Sequence, residues 1–188
     1  MLVTSGYNLS VKLKRPVRAD GSPIPWFNYN AVDFLEDRLT KDLRVFEYGS
    51  GNSTQFFAPR VTKVVSLERD PYWYNYGKEN MPDNVELVLY DKDAGVEYCD
   101  VASRRAKQFD VIVIDADDRI ECMRTAVDAL SARGVIILDD AEREQYRPGV
   151  DHLLARGFRE LPFKGLKPGG IRAYGTTIFY RPDNCLAI

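Results

Sequence analysis

The sequence predicts an α/β protein in which five parallel strands alternate with helices and two antiparallel strands follow. From residue 43 onward, short apolar runs alternate with stretches of helical periodicity, which is the pattern of β/α units in a parallel sheet. The last two apolar runs have a glycine-containing turn between them and no helical pattern, which favours an antiparallel hairpin. We therefore expect a mostly parallel seven-stranded sheet with helices on both faces.

The predicted parallel strands are short, and two of them contain segments that are continuously apolar. Residues 111–114 read Val-Ile-Val-Ile, and residues 135–138 read Val-Ile-Ile-Leu. Strands buried on both faces have this composition, and they occur in parallel sheets that helices cover on both sides. The five predicted parallel strands span residues 43–48, 63–68, 85–90, 109–115 and 134–140.

Helical periodicity fills the segments between these strands. The clearest case is 119–132, whose apolar residues recur at helical spacing and form one stripe. An earlier helix is predicted over 31–40, because Asn30 can cap its N-terminus. The predicted helices of the β/α units span residues 53–59, 71–80, 96–107, 119–132 and 144–156.

The two ends of the chain depart from the alternating pattern. Residues 158–163 and 175–181 predict the strands of the hairpin, and Lys167-Pro168-Gly169-Gly170 predicts the turn between them. The first thirty residues contain three prolines and a Gly-Ser turn, which indicates an N-terminal extension or a lid. Because no linker separates a second domain, we expect one domain over 1–188 with its core at 31–188.

The overall composition limits the classes of partner. The 28 acidic residues nearly balance the 26 Lys and Arg residues, so the charge does not favour nucleic acid as the main partner. No stretch approaches the roughly 18 consecutive apolar residues of a membrane span, and the N-terminus lacks the pattern of a signal peptide. Three scattered cysteines predict neither a disulfide framework nor a zinc site. We expect a cytoplasmic protein without nucleic-acid or membrane partners. The sequence leaves open whether the protein forms a homo-oligomer.

A glycine-containing segment follows the first predicted strand and carries the strongest functional signal. It reads Glu47-Tyr48-Gly49-Ser50-Gly51-Asn52-Ser53-Thr54. Ligands of open α/β sheets bind at the carboxyl ends of strands, and glycine lets the backbone approach a ligand closely. Asn52 and Ser53 offer donors to a carboxylate at a helix N-terminus, and Glu47 offers an acceptor to an ammonium group. These groups match the zwitterionic amino-acid end of S-adenosylmethionine.

An acidic residue at the end of the second predicted strand supplies a second anchor. Glu68 lies about twenty residues beyond the glycines, where a carboxylate can accept hydrogen bonds from ribose hydroxyls. A nicotinamide dinucleotide is the main alternative ligand, but its fingerprint has a third glycine where this chain has Thr54. Glu47 would also repel a pyrophosphate. Both points favour S-adenosylmethionine, and a purely structural strand-to-helix turn is the remaining alternative.

The ordered set of elements from Glu47 to Tyr180 resembles the class I S-adenosylmethionine-dependent methyltransferases. The resemblance covers about residues 30–188 and implies a Rossmann-like methyltransferase sandwich with strand order 3-2-1-4-5-7-6. It implies that Glu68 binds the ribose and that the adenine lies near Tyr90 and Asp91. The residues expected to bind the cofactor are Glu47, Gly49, Ser50, Gly51, Asn52, Ser53, Glu68, Asp91 and Asp115.

Carboxylates at the ends of the fourth and fifth predicted strands form a second concentration of charge. The phrases Ile114-Asp115-Ala116-Asp117 and Leu138-Asp139-Asp140 resemble those of catechol-type and sugar O-methyltransferases that use a divalent metal. The resemblance implies that Asp115, Asp139 and Asp140 hold Mg²⁺ or another divalent cation, which oxygen ligands favour. It also implies that Asp117 is a general base.

Other roles for these aspartates stay open on the sequence. In methyltransferases without a metal, the residue that matches Asp115 helps to place the cofactor or the acceptor. Asp139 and Asp140 point to opposite faces if the strand continues through them, and one of them could cap the next helix. Arg119 could pair with either of the two aspartates that directly precede it.

The predicted function is O-methyl transfer from S-adenosylmethionine to a small hydroxylated acceptor such as a sugar, with or without a divalent metal. Asp117 and Asp115 are the predicted catalytic residues. Two alternative classes are a nicotinamide-dependent oxidoreductase and a cofactor-binding interaction module without catalysis.

Overall fold

A computed structural model of the protein describes residues 5–79, 81–90, 95–105 and 107–188. Its seven strands are β1 (Arg44–Tyr48), β2 (Lys63–Glu68), β3 (Val85–Leu89), β4 (Phe109–Ile114), β5 (Leu130–Asp139), β6 (Arg159–Leu166) and β7 (Ala173–Tyr180). They form a single sheet in the order β3-β2-β1-β4-β5-β7-β6, which confirms the predicted order.

The sheet is mixed, so its description as mostly parallel is corrected. The strands β1 to β5 run parallel to one another, whereas β7 is antiparallel to both of its neighbours, β5 and β6. The reason lies in the connection between the last two strands. The chain turns back directly at residues 167–170, without the crossover that a parallel connection requires.

The described residues contain seven α-helices, and none of them is long and apolar enough to cross a bilayer. The helix predicted over 31–40 begins earlier, and Asn28 rather than Asn30 caps it: Oδ1 of Asn28 accepts a hydrogen bond from Ala31 N–H at 3.1 Å. The helices are α1 (Tyr7–Leu13), α2 (Tyr29–Glu36), α3 (Asn52–Phe57), α4 (Pro71–Lys78), α5 (Asp100–Ser103), α6 (Arg119–Ala129) and α7 (Arg147–Ala155).

The helices are shorter than the sequence predicts, and two of the differences change the description of the fold. The prediction over 96–107 corresponds to a short 3-10 turn and the four-residue α5. The prediction over 119–132 corresponds to α6, which ends at Ala129, and β5 begins at the next residue. Leu130 pairs with Phe109 of β4 in the sheet, and this pairing outweighs the helical periodicity.

Apolar side chains pack into two cores, one on each face of the sheet. In β4, Val111 and Val113 belong to the core that α2 and α3 cover. Ile112 and Ile114 belong to the core that α5, α6 and α7 cover. Successive strand residues point to opposite faces, so a strand between two helical layers must be apolar throughout. The prediction of helices on both faces is confirmed.

Residues 5–28 form an N-terminal strap that is tied to the rest of the molecule at both of its ends. Nδ2 of Asn52 donates a hydrogen bond to the Pro16 carbonyl at 2.6 Å. The indole N–H of Trp26 donates to the Pro168 carbonyl at 2.9 Å, and the Tyr7 hydroxyl donates to the Gly170 carbonyl at 3.1 Å. The strap thus connects the start of α3 with the turn between β6 and β7.

Candidate functional site

A cavity of about 580 Å³ opens at the carboxyl ends of β1, β2 and β4. This volume lies within the range of small-ligand sites, roughly 300–1,000 Å³. The strap, the segment that follows β1 and the segments that follow β4 and β5 all contribute to its wall. It is lined by Arg15, Pro16, Trp26, Gly49, Ser50, Gly51, Asn52, Ser53, Glu68, Arg69, Asp70, Trp73, Tyr98, Asp115, Ala116, Asp117, Asp118, Arg119, Arg143, Gln145 and Tyr146.

The glycine loop, residues 49–53, follows β1 and needs glycine at two positions. Gly49 has φ 103° and Gly51 has φ 149°, and side chains are strained in this part of conformational space. A Cβ on Gly49 would also lie only 2.6 Å from the Asp115 carbonyl oxygen. The absence of a side chain therefore lets the loop pass directly beside the end of β4.

Glu47 lies beneath the glycine loop and is not among the described residues that line the cavity. Its side chain is buried, and Oε2 accepts a hydrogen bond from the Ser66 hydroxyl at 2.7 Å. Oε1 has no hydrogen-bond partner among the described residues. Burial raises the pKa of Glu47 to about 7. The carboxyl group is thus placed to support the loop, with one acceptor atom still available.

Glu68 lines the cavity at the end of β2, and its carboxylate is fully engaged in hydrogen bonds. Oε2 accepts from the backbone N–H of Ser50 at 3.1 Å and from the Ser50 hydroxyl at 2.8 Å. Oε1 accepts from the backbone N–H groups of Arg69 and Asp70 at 2.8 and 2.9 Å. The backbone donors fix the position of the carboxylate, and the flexible Ser50 hydroxyl is the donor that a ligand can most readily replace.

The remaining predicted cofactor residues have different surroundings. Ser53 lines the cavity at the start of α3. Asn52 also lines it, but its side-chain amide ties down Pro16 and is not directed to a ligand. Asp91 lies outside the described residues. Tyr90, which precedes it, packs against the cavity residue Tyr98 with a ring-centroid distance of 5.8 Å.

Arg119 connects the ends of β4 and β5. Its Nη2 donates to Oδ1 of Asp115 at 2.9 Å, and its Nε donates to the Ala116 carbonyl at 2.8 Å. Nη1 donates to the Asp139 carbonyl and lies 3.8 Å from Oδ2 of Asp140. The sequence left open a pairing of Arg119 with Asp117 or Asp118, and the ion pair with Asp115 replaces both.

Asp117 lines the cavity, and no described cation neutralises its carboxylate. Its side chain is exposed to the cavity, and the structure shows no hydrogen bond or ion pair to it from any described residue. Asp118, the next residue, forms an ion pair with Arg69 at 2.9 Å. Of the two predicted catalytic residues, Asp117 is therefore free to meet a ligand, whereas Asp115 is already neutralised.

The predicted metal ligands Asp115, Asp139 and Asp140 do not form a metal site, and the described residues contain no group of three or more ligands that could hold an ion. The reason is a buried amino group. Nζ of Lys167 lies between the two β5 aspartates and donates to Oδ2 of Asp139 and Oδ1 of Asp140. A hydroxyl donor, Thr176, satisfies the other oxygen of Asp139 at 2.9 Å. These carboxylates thus do not fit a divalent cation as they are arranged.

The ionisation of this buried group follows from the same contacts. Burial, together with the charge of Asp115, raises the pKa of Asp139 to about 7. Burial also acts on Asp140, but Lys167, Arg119 and Arg143 outweigh it and hold the pKa of Asp140 below its ordinary range. Burial alone would lower the pKa of Lys167, yet the two aspartates raise it. The lysine is therefore a permanent cation at the end of β5.

Sequence reasoning missed Lys167 and Arg15. Lys167 belongs to residues 167–170, whose sequence predicts only a turn. The antiparallel hairpin could have revealed the role of Lys167, because the pairing of Asp139 with Thr176 places this turn above the end of β5. Arg15 stands in the strap, where nothing local in the sequence relates it to the glycine loop.

The residues present fit S-adenosylmethionine, the cofactor that the sequence implies. Glu47 has a buried acceptor atom without a partner, which an ammonium group or a bridging donor can satisfy. Gly49 and Gly51 leave backbone exposed to a ligand, and Glu68 offers a fixed carboxylate that lines the same cavity. The proposed contacts of the cofactor with this cavity stay a prediction.

Known proteins are similar to this chain in fold, whereas comparisons of its sequence found no match. No protein-family model matches the chain, and no curated protein sequence matches it. A precorrin-6y C5,15-methyltransferase from Geobacter metallireducens matches in structure with a TM-score of 0.57 at 19% identity, over 80% of this chain and 86% of that chain.

Two further solved structures show the range of chemistry on this fold. A 1,6-didemethyltoxoflavin-N1-methyltransferase from Burkholderia thailandensis, solved with S-adenosylhomocysteine, matches with a TM-score of 0.56 at 14% identity, over 81% of this chain and 77% of that chain. A spermidine synthase from Thermotoga maritima matches with a TM-score of 0.58 at 18% identity, over 79% of this chain and 55% of that chain. The similarity to metal-dependent O-methyltransferases stays a prediction. The chain has the class I, Rossmann-like fold of the S-adenosylmethionine-dependent methyltransferases.

Proposed function

We propose that this protein is an S-adenosylmethionine-dependent methyltransferase that methylates a hydroxyl group of a small acceptor such as a sugar. One observation carries the proposal. A single cavity is lined by the glycine loop and Glu68, which follow β1 and β2, and by Asp117, which follows β4 and has no partner among the described residues. We call the part next to β1 and β2 the cofactor end and the part next to β4 and β5 the acceptor end. When bound, the cofactor supplies an electrophilic methyl group on a sulfonium centre. The chain has to bind the two reactants, align them and remove one proton.

At the cofactor end, the loop and Glu68 would bind the nucleoside and the amino-acid moiety. A ribose hydroxyl can replace the Ser50 hydroxyl on Oε2 of Glu68, so the carboxylate stays satisfied during the exchange. The side chain of Trp73 lines the same part of the cavity and offers an apolar surface to the adenosine.

At the acceptor end, Asp117 is the residue proposed to accept the proton of the reacting hydroxyl on a carboxylate oxygen. Trp26, Gln145 and Tyr146 line this end and can exclude water and orient the acceptor. Asp115 is proposed as a positioning residue, because Arg119 holds its carboxylate at the end of β4. The proposal contains no metal step, because Lys167 and Arg119 already neutralise the carboxylates predicted to bind a metal.

The charge at the acceptor end supports a small-molecule acceptor rather than nucleic acid. Asp117 and Asp118 present exposed carboxylates, which repel a phosphate backbone. A neutral polyhydroxylated acceptor instead offers hydroxyl donors to these carboxylates. We therefore keep the expectation that neither nucleic acid nor a membrane is the partner.

Binding and turnover test this proposal separately. We expect S-adenosylmethionine and S-adenosylhomocysteine, and not NADH, to bind in calorimetry and to raise the melting temperature. We expect a panel of hydroxylated acceptors to contain one that yields S-adenosylhomocysteine. Asp117→Asn should lower kcat by about 100-fold or more without weakening cofactor binding, since general-base catalysis contributes about that much.

The matched control is Asp128→Asn, which removes an exposed carboxylate on α6 that does not line the cavity. Stabilisation by NADH alone would assign the protein to the oxidoreductases. Tight binding of S-adenosylhomocysteine without turnover of any acceptor would support the non-catalytic interaction module. Equal activity of the Asp117→Asn and Asp128→Asn variants would remove the proposed base.

A further inference from the structure

Four arginines line the cavity, and one of them differs from the others in its electrostatic surroundings. Arg69, Arg119 and Arg143 each form an ion pair with an aspartate that follows β4 or β5. Arg15 has no carboxylate within 4 Å among the described residues, and its Nη1 donates instead to the neutral hydroxyl of Tyr76 at 3.0 Å. An arginine without a counter-charge on the wall of a cavity favours an anionic ligand group.

The neighbours of Arg15 place it at the cofactor end of the cavity. The next residue, Pro16, accepts the hydrogen bond from Asn52 at the start of α3. Tyr76, which holds the guanidinium, lies on α4, the helix that follows Glu68. Arg15 thus lines the cavity near the glycine loop, which Asn52 ties to the strap, and near α4, the helix that follows β2.

Several hydrogen-bond donors of the glycine loop are already engaged within the protein. The backbone N–H of Ser50 donates to Glu68 at 3.1 Å, and that of Gly51 donates to the Thr54 hydroxyl at 3.3 Å. The side-chain amide of Asn52 is engaged with the strap. The following helix, α3, has only six residues, so its dipole is small. The backbone donors that remain at the start of α3 are uncharged, so a cation from another part of the chain would add the charge that a carboxylate favours.

We propose that Arg15 binds the carboxylate of the amino-acid end of S-adenosylmethionine, so that the N-terminal strap forms part of the cofactor site. This inference rests on the proposed function. The planar guanidinium can donate two parallel hydrogen bonds to a carboxylate, and the hydrogen bond from Nη1 to Tyr76 helps to fix its position. The strap thereby selects cofactors that carry an intact amino-acid carboxylate.

The test compares two ligands that differ in this carboxylate only. Calorimetry measures the dissociation constants of S-adenosylmethionine and of decarboxylated S-adenosylmethionine, which keeps the sulfonium and the amino group. The unmodified protein should prefer the intact cofactor by about 10-fold or more. Arg15→Gln should abolish most of this preference by weakening S-adenosylmethionine alone, and Arg15→Lys should retain an intermediate preference.

The matched control is Lys12→Gln, which removes an exposed cation from the same strap but does not touch the cavity. It should leave both dissociation constants unchanged. Because the comparison is a ratio for two ligands, a general loss of stability in a variant cannot imitate the expected result. As a second measurement, the preference of the unmodified protein should decrease as the salt concentration rises.

Two outcomes would overturn the inference. Arg15→Gln could weaken both ligands equally, or it could leave both unchanged. In the second case, a raised KM of the acceptor would show that Arg15 binds the acceptor instead. If the unmodified protein binds neither ligand nor S-adenosylhomocysteine, the proposed function fails and this inference fails with it. Normal binding with an unchanged ratio overturns the inference alone.

Discussion

At the scale of single residues, Glu47 shows how burial changes the pKa of a carboxyl group beside the proposed ligand site. The side chain is only 1% exposed, and one of its carboxylate oxygens has no partner among the described residues. Because water and counter-charges are excluded, the pKa of Glu47 is raised to about 7. Below about pH 7 the folded protein without ligand therefore favours the protonated form of this carboxyl group, and a bound ammonium group would favour the charged form.

We expect Glu47→Gln to change how the free energy of unfolding depends on pH. A raised folded-state pKa means that the native state binds the proton more tightly, so the stability from this group is full below about pH 4.5 and is lost as the pH rises through about 7. Glutamine resembles the protonated form. The variant should therefore gain stability over the unmodified protein with rising pH, by about 3 kcal/mol at most at pH 8.

Urea denaturation of both proteins between pH 4.5 and pH 8 measures this difference. Glu160→Gln is the control, because it removes an exposed carboxylate from β6. A difference between Glu47→Gln and the unmodified protein that stays constant over this pH range would contradict the raised pKa. Weaker binding of S-adenosylmethionine by Glu47→Gln would additionally support its role towards the ammonium group.

At the scale of elements, the hairpin of β6 and β7 delivers a cation to the strand ends of the parallel sheet. The backbone of β7 pairs with β5, and the turn that precedes β7 brings Lys167 over Asp139 and Asp140. The positive charge of the amino group compensates the negative charges of two buried carboxylates. The hairpin therefore completes the charge balance of the site as well as the edge of the sheet.

We expect Lys167→Met to destabilise the fold by about 3–5 kcal/mol, since removal of one partner leaves a buried charge uncompensated. Lys164→Met is the matched control, because Lys164 is exposed on β6, the strand that precedes the turn, and should contribute less than about 0.5 kcal/mol. Addition of Asp139→Asn to Lys167→Met should recover part of the loss. Denaturant unfolding measures all three, and equal stabilities of Lys167→Met and Lys164→Met would refute the account.

At the scale of the whole molecule, the strap connects the two ends of the site. Asn52 holds it at the glycine loop, and the Pro168 carbonyl holds Trp26 at the β6–β7 turn. Residues far apart in the chain thus form one wall around the cavity. A ligand between the strap and the sheet would contact both, so its binding should stabilise them together.

Hydrogen exchange measured by mass spectrometry tests this coupling. With saturating S-adenosylhomocysteine, we expect slower amide exchange in residues 15–28 and 49–54, because the bound ligand raises the free energy of local opening. Peptides from α7 should exchange at the same rate with and without ligand, which makes them the internal reference. Protection of the glycine loop without any protection of the strap would exclude the strap from the cofactor site.

Most of the fold could be predicted from the sequence, because the dominant signal is local. The continuous apolar runs in β4 and β5 required burial on both faces, and the turn at residues 167–170 required an antiparallel return. Errors occurred where tertiary contacts outweighed local preference. Leu130 joined β5 because it pairs with Phe109, and Asn28 rather than Asn30 became the helix cap.

The sequence by itself determined the succession of β/α units, the glycine loop and the acidic strand ends, because spacing and residue type within each unit specify them. The strand order came from the resemblance to the class I methyltransferases. Only the tertiary structure decided which cation, if any, pairs with each of those aspartates. Lys167 occupies the space between Asp139 and Asp140, and Arg119 pairs with Asp115, whereas Asp117 stays unpaired among the described residues. Charges from separate elements meet only after folding, and the energy of a buried carboxylate depends on which cation reaches it.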